Sequence, residues 1–365
     1  MVKVLIVDDS IFMRKTLAAI LEQSPFIKVV GLARNGEEGL ELIRQHDPDV
    51  VTLDIEMPKM DGLTALRHIM MEMPRPVIMI SSLTKEGAEA TLKAMELGAS
   101  DFIPKQAIPD ESYAAKLRET VLMVAKSASV LKYNAARRSS ASASSLALRQ
   151  VKADNAPPQD SGRRILPSTE TALSGVRAKD VVAIGVSTGG PPVVQKILSE
   201  LPENFPAGIL IAQHMPAAFT GPFAKRLDNL SKLTVQEAQG GEKLKPGLAL
   251  VAPGGKHISI TPTLEVIVSE QPLEALYKPS VNVLMESAGR SLGRKVLGVM
   301  LTGMGSDGVE GAKVLKECGG KLIAQSEKTC VVYGMPKAVV DAWLADEIVD
   351  KDDLAAAIVR GVQNR

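Results

Sequence analysis

The sequence predicts an α/β protein with two doubly wound, mostly parallel sheets, and three observations support this prediction. Short β-branched runs alternate with amphipathic stretches over residues 1–125, as strands and crossover helices do in a parallel sheet. A second alternation of the same kind extends over residues 179–365. Residues 126–178 between them are rich in small and polar residues and prolines, a composition that cannot form a core. We therefore expect two domains joined by a flexible linker.

The first domain is predicted to contain five strand–helix repeats and thus a five-stranded parallel sheet. Its apolar runs predict strands at 2–7, 28–33, 50–54, 77–81 and 101–104. Helical periodicity follows each strand, at 11–22, 36–46, 62–72, 86–97 and 111–125. Because helices cover both faces of such a sheet, we expect ligands to bind beyond the carboxyl ends of its strands.

The second domain is predicted to begin with a buried strand at 181–186, which a glycine-rich turn and a helix follow. Further strands are predicted at 208–213, 295–301 and 322–325, and further helices before about 229, at 309–317 and at 351–361. Three apolar runs at 248–253, 256–260 and 264–268 predict a β-hairpin insert, with the Pro-Gly-Gly at 253–255 as its turn. The domain should therefore combine a mostly parallel sheet with a small antiparallel insert.

Composition and charge exclude several classes of function. A net charge of +1 and an aromatic content of 3% argue against nucleic-acid binding. No uncharged apolar run reaches about 18 residues, so membrane insertion is not expected. The N-terminus lacks the zones of a signal peptide, which favours a cytoplasmic protein. Cys318 and Cys330 are too few for a disulfide framework and lack metal-ligand spacing. A monomer is the default expectation.

Acidic residues converge on the ends of the predicted strands in the first domain. Asp8 and Asp9 follow the first strand, Asp54 ends the third, Ser81 ends the fourth, and Lys105 follows the fifth. Clustered carboxylates repel one another, and a divalent cation such as Mg²⁺ relieves that repulsion. Asp54 is then the candidate nucleophile for a phosphoryl group, with Lys105 and the Ser81 hydroxyl contacting its oxygens. The alternative for the paired acids alone is an ordinary helix N-cap.

Further positions around this cluster give it a family resemblance. With Pro58 and Gly62 after Asp54 and Phe102 before the lysine, the pattern resembles the receiver domain of two-component response regulators. The resemblance implies a flavodoxin-like fold, a histidine kinase as phosphodonor, and a conformational shift of the residues at positions 81 and 102 after phosphorylation. The backbone carbonyl of Glu56 is expected to join Asp8, Asp9 and Asp54 as a Mg²⁺ ligand.

A second candidate site begins at Gly185, where G-x-S-x-G follows an apolar strand and precedes a helix. This context suits a nucleophile elbow, with Ser187 as the nucleophile, although a phosphate-binding turn is the alternative. A serine nucleophile needs a base and a carboxylate that orients it. His214 ends a strand at the same edge, whereas His257 alternates with apolar residues and is expected to be structural. Asp307 follows another strand and is the candidate orienting acid.

Glycines around Asp307 suggest how an oxyanion could be stabilised. Gly303 and Gly305 permit close approach of the backbone, and the N–H groups of Thr188 and Met304 are the candidate oxyanion-hole donors. The alternative is a tight turn in which Asp307 caps a helix.

The three segments GVSTGG, AQHMP and LTGMGSDG, in that order and behind a receiver, resemble the chemotaxis protein-glutamate methylesterases. The resemblance implies a methylesterase domain over 179–365 that hydrolyses glutamate γ-methyl esters on chemoreceptors without a cofactor, with glutamine deamidation as a second activity. It also implies that the receiver covers the catalytic cleft until Asp54 is phosphorylated. A phosphorylation-switched binding protein without catalysis is the competing hypothesis.

Overall fold

The computed structural model describes residues 1–106, 108–126 and 180–363. The predicted linker at 126–178 therefore lies outside the described residues, apart from its first position. Within the described part of the chain, none of the helices is both long and apolar enough to cross a lipid bilayer.

The N-terminal domain is a parallel sheet with the strand order β2-β1-β3-β4-β5. Its elements are β1 (Val2–Val7), α1 (Ile11–Leu21), β2 (Ile27–Ala33), α2 (Gly36–His46), β3 (Val50–Asp54), α3 (Gly62–Glu72), β4 (Val77–Ser81), α4 (Lys85–Glu96), β5 (Asp101–Pro104) and α5 (Glu111–Lys126). The predicted five-stranded, doubly wound fold is confirmed, and most predicted boundaries differ from these by no more than one residue. The order of the strands reverses between β1 and β3, where such sheets bind ligands.

Local capping explains why the helices of this domain begin where they do. The caps are Ser10, Asn35, Asp61 and Thr84, and each side chain accepts a hydrogen bond from the backbone N–H three residues later. Each cap satisfies one N–H that the helix itself cannot pair, which stabilises a helix by about 1 kcal/mol. The strands of the sheet carry buried aliphatic residues, so both faces lie under helices.

The C-terminal domain contains a seven-stranded parallel sheet with the order β14-β13-β12-β6-β7-β9-β8 and a separate antiparallel pair, β10-β11. Its elements are β6 (Val181–Val186), α6 (Gly190–Glu200), β7 (Gly208–Gln213), α7 (Ala217–Leu230), β8 (Thr234–Glu237), β9 (Leu248–Val251), β10 (His257–Ile260), β11 (Val266–Ser269), α8 (Val281–Leu292), β12 (Val296–Met300), α9 (Val309–Glu317), β13 (Lys321–Gln325), α10 (Met335–Asp341), β14 (Glu347–Val349) and α11 (Leu354–Gln363). The order of the strands reverses at β6, and sheets of this kind bind ligands at such a reversal.

The extent of the predicted hairpin insert was wrong. Strand β9 lies in the main sheet, where it pairs in parallel with β7 and β8. Only β10 and β11 form the hairpin, and their turn is formed by 261–265 rather than by 253–255. A short apolar run has the same composition in a central parallel strand and in a hairpin, so its sequence does not distinguish the two. The short edge strands β8 and β14 and the helices α8 and α10 were not predicted.

Candidate active site and acidic pocket

The acidic pocket of the N-terminal domain brings its predicted residues together. Single carboxylate oxygens of Asp8, Asp9 and Asp54 all lie within 4.8 Å of one another. Lys105 Nζ donates a hydrogen bond to Asp54 Oδ2 at 2.6 Å and lies 3.1 Å from Asp8 Oδ2. Gly62 allows the following loop to close, since a Cβ there would stand 1.9 Å from the carbonyl oxygen of Asp54. The pocket thus contains three carboxylates and one ammonium group.

The charge of Asp54 is costly in this pocket. Burial raises its pKa from 3.8 to about 6, although the hydrogen bond and charge of Lys105 act in the opposite direction. For Lys105, burial acts against the charged form, but Asp54 and Asp8 still raise the pKa of its ammonium group. Asp8 Oδ2 is buried, and apart from the ion pair with Lys105 at 3.1 Å it has no hydrogen-bond partner within the described structure. An electron-rich oxygen in this position, beside two further carboxylates, fits a hard divalent cation.

Other predicted residues of the pocket point elsewhere in this conformation. The Ser81 hydroxyl donates to the Gly87 carbonyl oxygen at 3.1 Å and accepts a hydrogen bond from Thr91 at 2.7 Å, so it is engaged with helix α4 rather than with Asp54. Sequence reasoning did not identify Thr91, because a threonine inside an amphipathic helix carries no motif that would single it out. The side chain of Glu56 is exposed, and the role of its carbonyl as a ligand stays a prediction.

The second site lies at the carboxyl edge of the seven-stranded sheet. Strands β6 and β7 pair in parallel with Val186 opposite Gln213, and the N–H of His214 donates to the Val186 carbonyl at 3.0 Å. Ser187 and His214, the next residues on these strands, therefore lie side by side. His214 Nε2 is 2.8 Å from Asp307 Oδ2, and both side chains are at least nine-tenths buried. The tertiary fold thus assembles the three predicted residues at one edge.

Asp307 lies at the N-terminus of helix α8, which sequence analysis had not predicted. Its Oδ1 accepts hydrogen bonds from the Ser280 hydroxyl at 2.9 Å and from the N–H of Asn282 at 3.1 Å, and its Oδ2 accepts one from the N–H of Val281 at 2.7 Å. Burial alone would raise the pKa of Asp307, but His214 and these backbone donors lower it below its ordinary value. The carboxylate is therefore held ionised beside the imidazole. Ser280 also caps α8, and a serine ahead of an apolar periodic run was the available signal.

Two contacts hold the imidazole of His214, one at its Nε2 and one on the face of its ring. Asp307 occupies Nε2, so Nδ1 is the ring nitrogen left to act as a base, and it is buried without a hydrogen-bond partner among the described residues. The ring of Tyr277 stacks on the imidazole, with centroids 4.3 Å apart and planes 10° apart. Sequence reasoning missed Tyr277, which comes from the loop before α8 and carries no motif.

His257 is structural, as its pattern predicted. It is buried, its Nδ1 accepts a hydrogen bond from the N–H of Ser280 at 3.1 Å, and its Nε2 donates to the Pro272 carbonyl at 3.2 Å. Burial lowers its pKa, which keeps the ring in the neutral form that this arrangement requires. His257 thereby holds Ser280, whose hydroxyl donates a hydrogen bond to Asp307.

The two backbone segments that carry the candidate oxyanion donors both lie against Ser187. Thr188 follows Ser187 directly, and the backbone of Gly303 approaches so closely that a Cβ there would stand 2.8 Å from Ser187 Cβ. A side chain at position 303 would therefore displace the backbone that carries Met304. A glycine is needed at that position because the strand β12 loop must contact the serine directly.

The N-terminal domain packs against the C-terminal domain beside this site. Phe102 stacks on Phe219 of α7, with ring centroids 4.6 Å apart. Glu96 of α4 forms an ion pair with Arg226 and accepts a hydrogen bond from Gln195 Nε2 at 3.3 Å. The predicted switch aromatic is thus part of the contact between the two domains.

This contact reaches the candidate oxyanion residues themselves. Met304 and Val332 belong to the same buried apolar cluster as Tyr113 of α5. Burial raises the pKa of Asp101 on β5, against the opposing effect of a hydrogen bond with the Thr188 side chain. Asp101 of β5 therefore contacts Thr188, and Tyr113 of α5 belongs to the apolar cluster that contains Met304.

Comparisons with known proteins identify a known family for each domain. A family model described as CheB methylesterase matches residues 182–358, and one described as a response regulator receiver domain matches residues 4–116. The chain is 60% identical to protein-glutamate methylesterase/protein-glutamine glutaminase 1 of Oleidesulfovibrio alaskensis, over 99% of this chain and 100% of that protein. It is 62% identical to the corresponding protein 2 of Nitratidesulfovibrio vulgaris, again over 99% and 100%. The CheB methylesterase catalytic domain of Thermotoga maritima is 39% identical, over 50% of this chain and 98% of that structure, with a TM-score of 0.48.

Proposed function

Because the chain belongs to the CheB methylesterase family and carries a receiver domain, we propose that it hydrolyses glutamate γ-methyl esters on chemoreceptors under the control of Asp54 phosphorylation. The relatives are named as both methylesterases and glutaminases, so deamidation of receptor glutamines is proposed as a second activity of the same site. The observation that carries the proposal is the hydrogen bond between His214 and Asp307 beside Ser187. A neutral imidazole with a free Nδ1 next to a serine is what acyl transfer requires.

The first half of the reaction forms an acyl-enzyme. Ser187 Oγ attacks the ester carbonyl carbon while His214 Nδ1 takes the hydroxyl proton, and the Asp307 carboxylate stabilises the imidazolium that results. The N–H groups of Thr188 and Met304 donate to the oxyanion of the tetrahedral intermediate. When the intermediate collapses, the proton on His214 passes to the methoxide, and methanol leaves.

The second half restores the enzyme. A water molecule attacks the acyl carbon and gives a proton to His214, and collapse of the second tetrahedral intermediate returns that proton to Ser187 Oγ. The product is the free glutamate side chain of the receptor. For a glutamine substrate the same steps release ammonia in place of methanol.

In the receiver, Asp54 is the proposed phosphoryl acceptor and a chemotaxis histidine kinase the proposed donor. Asp8, Asp9, Asp54 and the Glu56 carbonyl would hold Mg²⁺, which neutralises charge on the phosphoryl oxygens when it is bound. Lys105, already hydrogen-bonded to Asp54, would remain as an ion-pair partner for the phosphoryl group. The Ser81 hydroxyl would have to break its hydrogen bond with the Gly87 carbonyl in order to donate to the phosphoryl group.

Regulation is proposed to act through the contact between the domains. Phe102 stacks on Phe219 of α7, Asp101 contacts Thr188, and Tyr113 of α5 shares an apolar cluster with Met304. A receptor helix and the receiver therefore cannot occupy that surface together. Movement of Ser81 and Phe102 after phosphorylation would weaken this contact and expose Ser187. Only a few kcal/mol are needed to shift such an equilibrium between two domain arrangements. Removal of residues 1–140 should accordingly raise the basal esterase rate.

The decisive experiment measures methanol release from methylated receptor membranes, with and without a small aspartyl phosphodonor. Ser187→Ala should reduce turnover by at least about 10³-fold while Asp54 is still phosphorylated. Ser199→Ala is a matched control, since that serine is exposed on α6 and, among the described residues, its hydroxyl donates only to the Lys196 carbonyl. Retained turnover in Ser187→Ala would reject the assignment. A serine-directed organophosphonate that fails to label Ser187 would favour the competing hypothesis of a binding protein.

A further inference from the structure

Gln213 is a buried amide that the reaction scheme above does not use. It is the last residue of β7, directly before His214, and only 1% of its surface is exposed. Its Nε2 donates to the Ser187 carbonyl at 3.0 Å and to the His214 carbonyl at 3.3 Å. One side-chain amide thus bonds to the main chain of both the nucleophile and the base.

The orientation of this amide is determined by its neighbours. Both main-chain partners are carbonyl oxygens, so only the NH₂ group can face them without repulsion. The amide oxygen faces the start of α6, where a Cβ on Gly190 would stand 2.6 Å from it. That oxygen accepts no hydrogen bond within the described structure, which is a cost for a buried polar atom. The amide nitrogen of Gln213 therefore makes two hydrogen bonds, while its oxygen makes none within the described structure.

The bond to the Ser187 carbonyl bears on the oxyanion hole because a trans peptide is planar. The Ser187 carbonyl and the Thr188 N–H belong to one peptide plane and point in opposite directions. Two donors hold that carbonyl, Gln213 Nε2 and the N–H of Gly190 at 2.9 Å. With the carbonyl held towards them, the Thr188 N–H is directed away from Gln213, to the opposite side of the plane.

The other candidate donor is held in the same way. The Gly303 carbonyl shares its peptide plane with the Met304 N–H, and it accepts hydrogen bonds from the N–H groups of Gly334 at 3.1 Å and Met335 at 2.9 Å. Each oxyanion peptide therefore has two donors on its carbonyl side. In the Gly303 peptide both donors are backbone groups, whereas in the Ser187 peptide one of the two is a side chain that mutation can remove.

We propose that Gln213 is a positioning residue for the oxyanion hole, which it serves by holding the Ser187–Thr188 peptide so that the Thr188 N–H points at the developing oxyanion. The proposal rests on the serine mechanism above. A donor that is held in advance stabilises the transition state without reorganisation, whereas a loosely held donor loses part of that effect. Since the Gly190 N–H remains after mutation, the expected loss is smaller than that for complete removal of a donor.

The test uses the full-length chain with a phosphodonor and the variant Gln213→Met, which keeps the unbranched shape and removes the donors. We expect kcat to fall by about 10- to 100-fold while KM changes by less than about twofold, because only transition-state binding is lost. Affinity for a trifluoromethyl ketone analogue, which forms a tetrahedral adduct with the serine, should fall by the same factor as kcat/KM. The midpoint of the kcat–pH profile should not move, because the His214–Asp307 pair is unchanged.

Ser291→Ala is the control for general destabilisation. Its hydroxyl donates to the Ile260 carbonyl at 2.7 Å, at the far end of α8 from Asp307. It should lower the melting temperature without changing kcat. Gln213→Leu takes the place of the methionine variant if that protein does not fold.

Three results would overturn the proposal. They are a kcat within about threefold of wild type, a loss of kcat without loss of affinity for the ketone, and a shifted pH midpoint, which would assign the effect to His214 instead. Ser187→Ala is measured alongside. If it remains active, the serine mechanism itself is wrong, whereas an inactive Ser187→Ala with a fully active Gln213→Met rejects only the role of Gln213.

Discussion

Replacement of Asp54 by asparagine should stabilise the receiver while it abolishes phosphorylation. Asp54 is 3% exposed, and burial raises its pKa from 3.8 to about 6. This difference in pKa corresponds to a cost of about 3 kcal/mol for the ionised carboxylate in the folded state. Asparagine has nearly the same shape as aspartate and removes that charge. Lys105 remains paired with the Asp8 carboxylate, which lies 3.1 Å from its Nζ. The stabilisation at pH 7 should therefore approach about 3 kcal/mol.

The sign of the pH dependence follows from linkage. Below pH 3.8 the Asp54 carboxyl is protonated in both the folded and the unfolded chain, so it contributes nothing. Between 3.8 and about 6 the unfolded chain loses its proton while the folded protein keeps it, so the free energy of unfolding decreases as the pH rises. Above about pH 6 the full cost is present. The asparagine variant should lack this decrease.

Calorimetry of the full-length chain in EDTA measures the effect. About 3 kcal/mol should raise the melting temperature of a domain of this size by roughly 10 °C at pH 7, with a smaller difference at pH 4.5. Mg²⁺ should raise the melting temperature of the wild type but not that of the variant. Asp9→Asn, at an exposed carboxylate in the same pocket, should change the metal-free stability much less. An Asp54→Asn protein that is no more stable than wild type at pH 7 would refute the reasoning.

Two further predictions concern the rate of ester hydrolysis. Glu96→Ala removes the ion pair with Arg226 across the domain contact, and because such partly exposed pairs contribute about 0.2–1 kcal/mol, basal ester hydrolysis without phosphodonor should rise by up to about fivefold. Glu86 is an exposed glutamate on the same helix, so Glu86→Ala should leave the basal rate of ester hydrolysis unchanged. An equal rise of that rate in the two variants would argue against a specific contact. Tyr277→Ala removes a stacking contact of about 0.5–1.5 kcal/mol from His214, so kcat should fall by about 2- to 12-fold, whereas Tyr277→Phe should retain it. An inactive phenylalanine variant would instead point to the hydroxyl.

Sequence reasoning predicted the first domain almost completely, because its signals are local. Four of its helices follow directly on a capping side chain, and each strand is a short apolar run. The caps are Ser10, Asn35, Asp61 and Thr84. It was less successful in the second domain, where β9 was assigned to the hairpin. Whether a buried run pairs with β7 or with β10 depends on contacts between residues that are distant in the chain.

The residue types that carry the proposed chemistry were readable in the chain, because strand ends, glycine turns and acidic clusters are encoded over a few neighbouring residues. Which atoms those residues use was decided only when distant segments packed together. Four contacts each join residues that are distant in the chain: the bond of His214 Nε2 to Asp307, the stacking of Tyr277 on His214, the support of Asp307 by the N-terminus of α8, and the bond of Gln213 to the Ser187 carbonyl. Such contacts depend on strand order and helix placement, which follow from the packing of the whole core rather than from any local pattern.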